Sequence, residues 1–158
     1  MEQNSIYEYI LSRVQTDLAR YGYKRSGKSR FFYQYAVGGK VGCIIEMQKS
    51  MFNSPDSYSF TFNLGCIGMY QLSGYQKEKL TLNVLKLALS NPHTGAIRIG
   101  QLQRGGDYWW ELNENILKMY TLEEYYNRFI QKDIECATEC LKKLADEKSL
   151  VYKYDKNR

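Results

Sequence analysis

Residues 30–37, RFFYQYAV, then Gly38–Gly39, then 40–50, KVGCIIEMQKS, decide the fold, because their apolar positions recur with a period of two. That period sends successive side chains to opposite faces of a strand, and paired glycines between two such runs mark a hairpin turn. A third run, YSFTFNLG at 58–65, follows the loop MFNSPDS. Phe60, Phe62 and Leu64 point one way there, and Thr61 and Asn63 the other.

Upstream the period is helical. Ser5 with Glu8 forms a capping box, and Ile6, Ile10, Val14, Leu18 and Tyr21 recur at helical spacing until Gly22 supplies a stop. Downstream, KEKLTLNVLKLALS (77–90) fits either period, and its length and leucine content favour a helix. NPHTG then breaks the chain, AIRIGQL (96–102) reads as a strand, QRGGD as a turn and YWWEL (108–112) as its partner, a second hairpin. Thr121 with Glu124 makes another capping box, from which Leu122, Tyr126, Phe129, Ile130, Ile134, Ala137, Leu141 and Leu144 carry an amphipathic helix to about Lys148. These elements predict one α+β domain over 1–148, an antiparallel sheet of about five strands with the N- and C-terminal helices on one face, and a frayed tail over 149–158.

With 158 residues, 44% of them hydrophobic and only two prolines, the chain can bury a sizeable core without staples. The stretch MEQNSIYEYILSRVQ has neither the basic start nor the continuous apolar run of a secretory signal, and no segment is long and apolar enough to span a membrane. A cytoplasmic protein with no membrane partner is expected. Cys43, Cys66, Cys136 and Cys140 follow no zinc spacing, and in the cytosol such thiols stay reduced as small buried hydrophobes, so no metal site and no cofactor are expected. His93, the one histidine, sits in the NPHTG turn with no nucleophile or carboxylate that the sequence places beside it.

Residues 22–29, GYKRSGKS, match the phosphate-loop pattern letter for letter. Phosphate loops leave a buried strand and open a helix, whose N-terminus and backbone N–H groups hold the phosphates. Here a helix ends at Gly22 and a strand follows Ser29, so the order is reversed. The same region is nevertheless basic: Arg20, Lys24, Arg25, Lys28, Arg30 and Lys40 lie between Asp17 and Glu46 with no acid among them, and aromatic residues are interleaved. That is the style of an RNA or single-stranded DNA surface.

If the helices cover the face of Cys43, Ile45, Met47, Phe60, Phe62, Leu64, Ile97, Ile99, Tyr108, Trp110 and Leu112, the opposite face carries Glu46, Gln48, Thr61, Asn63, Arg98, Trp109 and Glu111. Carboxamides, a guanidinium and an indole on one face suit a partner or a small ligand, although a solvated sheet face is polar in any case.

The succession YGYKRSGKSRFFY, IIEMQKS, FTFNLG, RIG and DYWWEL before a C-terminal helix resembles the bacterial family known as domain of unknown function 4304. The resemblance runs from about Ile6 to Leu144, except between Gly68 and Leu89. It implies that Gln48, Ser50, Asn63, Gly65, Arg98, Gly100, Trp109 and Trp110 are family positions and that GYKRSGKS is a glycine turn. It implies no activity.

Three functions follow as expectations. The first is a non-catalytic module binding another protein, of inhibitor or immunity type, through Gln48, Asn63, Arg98, Trp109 and Glu111, since Tyr and Trp are favoured contact residues. The second is nucleic-acid binding by the basic aromatic segment 20–40. The third is an enzyme acting on a small molecule over Gln48, Asn63, Arg98 and Glu111, for which no acid–base pair can be assigned.

Overall fold

A computed structural model describes residues 3–72, 79–91 and 95–155. The chain runs α1 (Gln3–Ala19), β1 (Lys24–Arg25), β2 (Phe31–Ala36), β3 (Val41–Lys49), β4 (Ser57–Gly68), α2 (Leu82–Leu87), β5 (Ile97–Arg98), α3 (Gly100–Gln103), β6 (Trp110–Asn113) and α4 (Glu114–Met119). It ends in α5 (Leu122–Tyr125), a π turn (Tyr126–Ile130) and α6 (Gln131–Asp155). The sheet is antiparallel in the order β1-β2-β3-β4-β5, with β6 also on β4.

The hairpin of β2 and β3 forms as its alternation predicts, with Gly38 and Gly39 both at positive φ in the turn. Gly22 ends the first helix with φ +87, a conformation that costs a glycine nothing and other residues a steric penalty. Helix α1 is already under way at Gln3, so Ser5 lies inside it and does not cap it. The Thr121 cap does form: its Oγ1 accepts from the Glu124 N–H at 3.1 Å.

One core face gathers the predicted residues. Phe60, Phe62, Leu64, Met47 and Ile45 lie against Ile10, Val14 and Leu18 of α1 and Ile134, Ala137 and Leu141 of α6. Trp110 is fully buried, stacked on Phe60 at 5.9 Å and donating its indole N–H to the Phe129 carbonyl at 2.8 Å. Cys43 and Cys66 face each other across β3 and β4 with sulfurs 3.4 Å apart, and the hydrogen bond to Cys66 together with burial pushes the Cys43 thiol up. The π turn brings both Tyr125 and Tyr126 inward, and Tyr126 donates its hydroxyl to the buried Asp17 at 2.7 Å. Burial, and then that bond, hold the Tyr126 phenol above its ordinary value, and the Arg13 guanidinium lies 4.7 Å from the ring.

Three further expectations are corrected. The predicted second hairpin does not form: β5 pairs with Asn63 and Leu64 and β6 with Ser57–Phe60, so both lie along the same edge of β4. A twelve-residue strand has room for two short partners end to end, and Gly100–Gln103 coils into α3 between them. The C-terminal helix runs to Asp155, beyond the expected end near Lys148, and Tyr152 anchors it by accepting from the Tyr70 N–H at 2.8 Å.

The third correction concerns the face opposite the core, which is not bare. The ambiguous segment is helical, capped by Thr81, and α2 lays Leu85 and Ala88 over Ile44 and Ile67 in a second cluster. Gly65 makes the approach possible, because a Cβ there would sit 2.9 Å from the Ala88 carbonyl oxygen. Gly65→Val is expected to push α2 off the sheet and to cost about 1–3 kcal/mol, seen as a lowered urea midpoint. An unchanged midpoint would contradict the packing of α2 on this strand.

Candidate functional site

Because α2 covers only the Ile44–Ile67 half of the second face, the other half is left as the floor of a cleft of about 1020 Å³. Glu46 and Gln48 of β3, Asn63 of β4 and Arg98 of β5 form that floor. Lys28, Ser29, Arg30 and Phe31 make one wall, Lys86, Leu89 and Ser90 at the end of α2 another, and Tyr7 and Lys49 also line it.

The floor is a continuous hydrogen-bonded chain. Arg30 Nε donates to Glu46 Oε2 at 2.9 Å, Asn63 Nδ2 donates to both Glu46 Oε1 and Gln48 Oε1 at 2.8 Å, and Arg98 Nη1 donates to Gln48 Oε1 at 3.2 Å. Asn63 is buried, and its cross-strand partners in the sheet are Glu46 and Arg98. Such a network, tied at both ends to charged groups, holds its carboxamides in one orientation.

The charge balance is one-sided. Five cationic side chains, Lys28, Arg30, Lys49, Lys86 and Arg98, line the cleft against the single carboxylate of Glu46. Among the described residues, Arg30 alone of the five has a carboxylate partner. Lys49 and Lys86 rest their ammonium groups over the rings of Tyr7, at 4.1 Å, and Phe31, at 4.4 Å, while Arg98 lies 5.5 Å from the Trp109 ring. Burial holds the Tyr7 phenol above its ordinary value, so at neutral pH it adds no negative charge. Both oxygens of Glu46 are engaged, and no other carboxylate lines the cleft among the described residues.

Of the five residues expected to bind a partner, the structure brings Gln48, Asn63 and Arg98 together. Trp109 stands beside Arg98, and Glu111 lies apart, accepting from Ser57 Oγ at 3.0 Å. Thr61 is buried, donating to the Tyr108 carbonyl at 2.7 Å.

The cations of the basic segment have different surroundings. Lys28 and Arg30 enter the cleft, Arg20 lines a separate cavity with Tyr21, Tyr35 and Lys142, Lys40 lies over the Tyr152 ring, and Lys24 is exposed on β1. Arg25 turns inward and donates to the carbonyls of Ser29, at 2.7 Å, and Lys28, at 2.9 Å. The phosphate-loop letters therefore spell a turn between β1 and β2: Ser26 N–H goes to the Phe31 carbonyl and Ser29 N–H to the Ser26 carbonyl, so neither is free for phosphate.

Lys49 and Lys86 were not legible as site residues. Lys49 shares the parity of the core face and reaches the cleft only because the strand ends there, and Lys86 depends on where α2 docks. His93 lies outside the described residues. Among the described residues there is no cluster of three or more His, Cys, Asp or Glu that could hold a metal ion, and no helix is long and apolar enough to cross a membrane.

A family model described as Domain of unknown function (DUF4304) matches residues 14–139, a span that includes every residue named in the cleft except Tyr7. No curated protein and no solved structure matches the chain.

Since the Arg25 guanidinium alone joins the two carbonyls of the turn that presents Lys28, Arg25→Ala should lower unfolding stability by about 1–3 kcal/mol, the scale of hydrogen bonds to a charged group. Denaturant unfolding checks it, and stability equal to the parent would show that the turn holds itself.

Proposed function

We propose that this chain, which belongs to the DUF4304 family, is a cytoplasmic, non-catalytic binding module that receives an anionic ligand in the cleft beside α2. The observation that carries this reading is the gathering of five cations, with a single carboxylate, around one cleft, from the β1–β2 turn, the end of β3, α2 and β5. Like charges gathered in a concave, partly apolar site repel one another and raise the local potential, and an anion relieves both effects. A net charge of +5 spread evenly would not require such a gathering.

The expected partner, another protein, is replaced in this reading by an anionic ligand, and the site is redrawn: Glu111 falls outside, and Lys28, Arg30, Lys49 and Lys86 join Gln48, Asn63 and Arg98. Nucleic-acid binding by segment 20–40 stays an alternative with partial support, since Lys28 and Arg30 line the cleft while Arg20 lines another cavity and Arg25 turns inward. An enzymatic reading gains none, since Glu46 is already engaged by Arg30 and Asn63.

Titration with inorganic pyrophosphate at low salt should give saturable binding that weakens steeply as salt is added. In Lys86→Ala and in Arg98→Ala it should weaken about tenfold or more, as for loss of a charge-assisted contact. Absence of binding at low salt, or full affinity in both variants, would overturn the proposal.

A further inference from the structure

The floor of the cleft carries information that charge alone does not need. Asn63 spends both N–H bonds of its carboxamide on Glu46 and Gln48, and Gln48 spends its carbonyl oxygen on Asn63 and Arg98. Neither amide can be turned over: a reversed Asn63 would set its oxygen against the Glu46 carboxylate, and a reversed Gln48 would set its NH2 against the Arg98 guanidinium. What remains is Asn63 Oδ1 as an acceptor and Gln48 Nε2 as a donor. No described residue bonds to either. Neither is sealed from solvent, since Tyr58 OH is the only buried side-chain polar atom without a partner among the described residues.

The chain therefore offers an acceptor and a donor, on two hydrogen-bonded carboxamides with fixed orientations, at the floor of a cationic cleft. Resting on the anion-binding reading, we propose that the ligand is a nucleotide: phosphate among the lysines, and the hydrogen-bonding edge of a base on Asn63 and Gln48. A nucleobase presents a donor and an acceptor side by side on one edge, which a carboxamide pair can satisfy. A trans peptide group points its N–H and C=O to opposite sides and leaves one of the two unmet, and a carboxylate or phosphate supplies acceptors only. The volume agrees, since about 1020 Å³ is far more than an inorganic anion fills, and Phe31 and Leu89 give it an apolar wall. The nucleotide is either free or one unit of a single strand, and the chemistry at the floor is the same.

The test compares uridine, cytidine, adenosine and guanosine monophosphates with ribose 5-phosphate, which has the charge and the sugar and lacks the base. At least one nucleotide should bind about tenfold or more tightly than ribose 5-phosphate, the scale of a bidentate base contact. In Gln48→Leu that ratio should fall to about one, a readout that a general loss of stability would not move. A short oligonucleotide of the preferred base, run beside the monophosphate, separates the sources: tighter binding of the strand points to single-stranded nucleic acid and equal binding to the free nucleotide, and both support the inference. Ribose 5-phosphate binding as tightly as every nucleotide, or a ratio unaltered in Gln48→Leu, would overturn it while leaving the anion site standing. If pyrophosphate also failed to bind, the site itself would be lost.

Discussion

The constraint on which the structure depends is the burial of β4 on both faces. From Phe60 to Gly68 every residue of this strand is buried, although the sequence alternates apolar and polar up to Leu64. An alternating strand survives such burial only if its polar members find partners, because an unmet carboxamide or hydroxyl in the interior costs roughly 1–3 kcal/mol. Thr61 is satisfied by the Tyr108 carbonyl, and the Nδ2 donors of Asn63 by Glu46 and Gln48. The need to satisfy Asn63 thus builds the floor of the cleft, and the cleft is a consequence of how the sheet is covered.

Coverage of the second face is incomplete for a reason visible in its composition. Toward one end, Gly65, Ile44 and Ile67 make a smooth apolar surface that Leu85 and Ala88 can approach. Toward the other, Glu46, Gln48, Asn63 and Arg98 need hydrogen bonds that a short leucine-rich helix cannot supply. Helix α2 stops at the boundary, and its last turn, with the β1–β2 turn opposite, becomes the walls of the cleft. The turn keeps its shape because Arg25 is folded beneath it, so the residues that imitate a phosphate loop serve the site by holding Lys28 in place.

Much of the core was legible, because period-two alternation assigns Phe60, Phe62, Leu64, Trp110 and Leu112 to one face without any knowledge of pairing. Gln48, Asn63 and Arg98 were legible for the same reason. What could not be read was set by contacts between distant segments. Nothing local distinguishes a hairpin of β5 and β6 from two strands sharing the edge of β4, since both leave the same alternation. The place of α2 was hidden because leucines at 80, 82, 85 and 87 fit two periods, and Lys86 was hidden with it. Gly65 and Ile67 held a usable signal: a glycine and an apolar residue on a face otherwise read as polar mark a surface that something else covers.

The central claim is that cations scattered over the sequence act as one site. Amide chemical-shift mapping during a pyrophosphate titration tests it most directly. The account predicts that Lys28–Phe31, Lys49, Lys86 and Arg98 shift together and saturate with one affinity, while Arg20, Lys24 and Lys40 stay still. Shifts spread over all the basic residues without saturation, or centred on Arg20, Lys24 and Lys40, would contradict it.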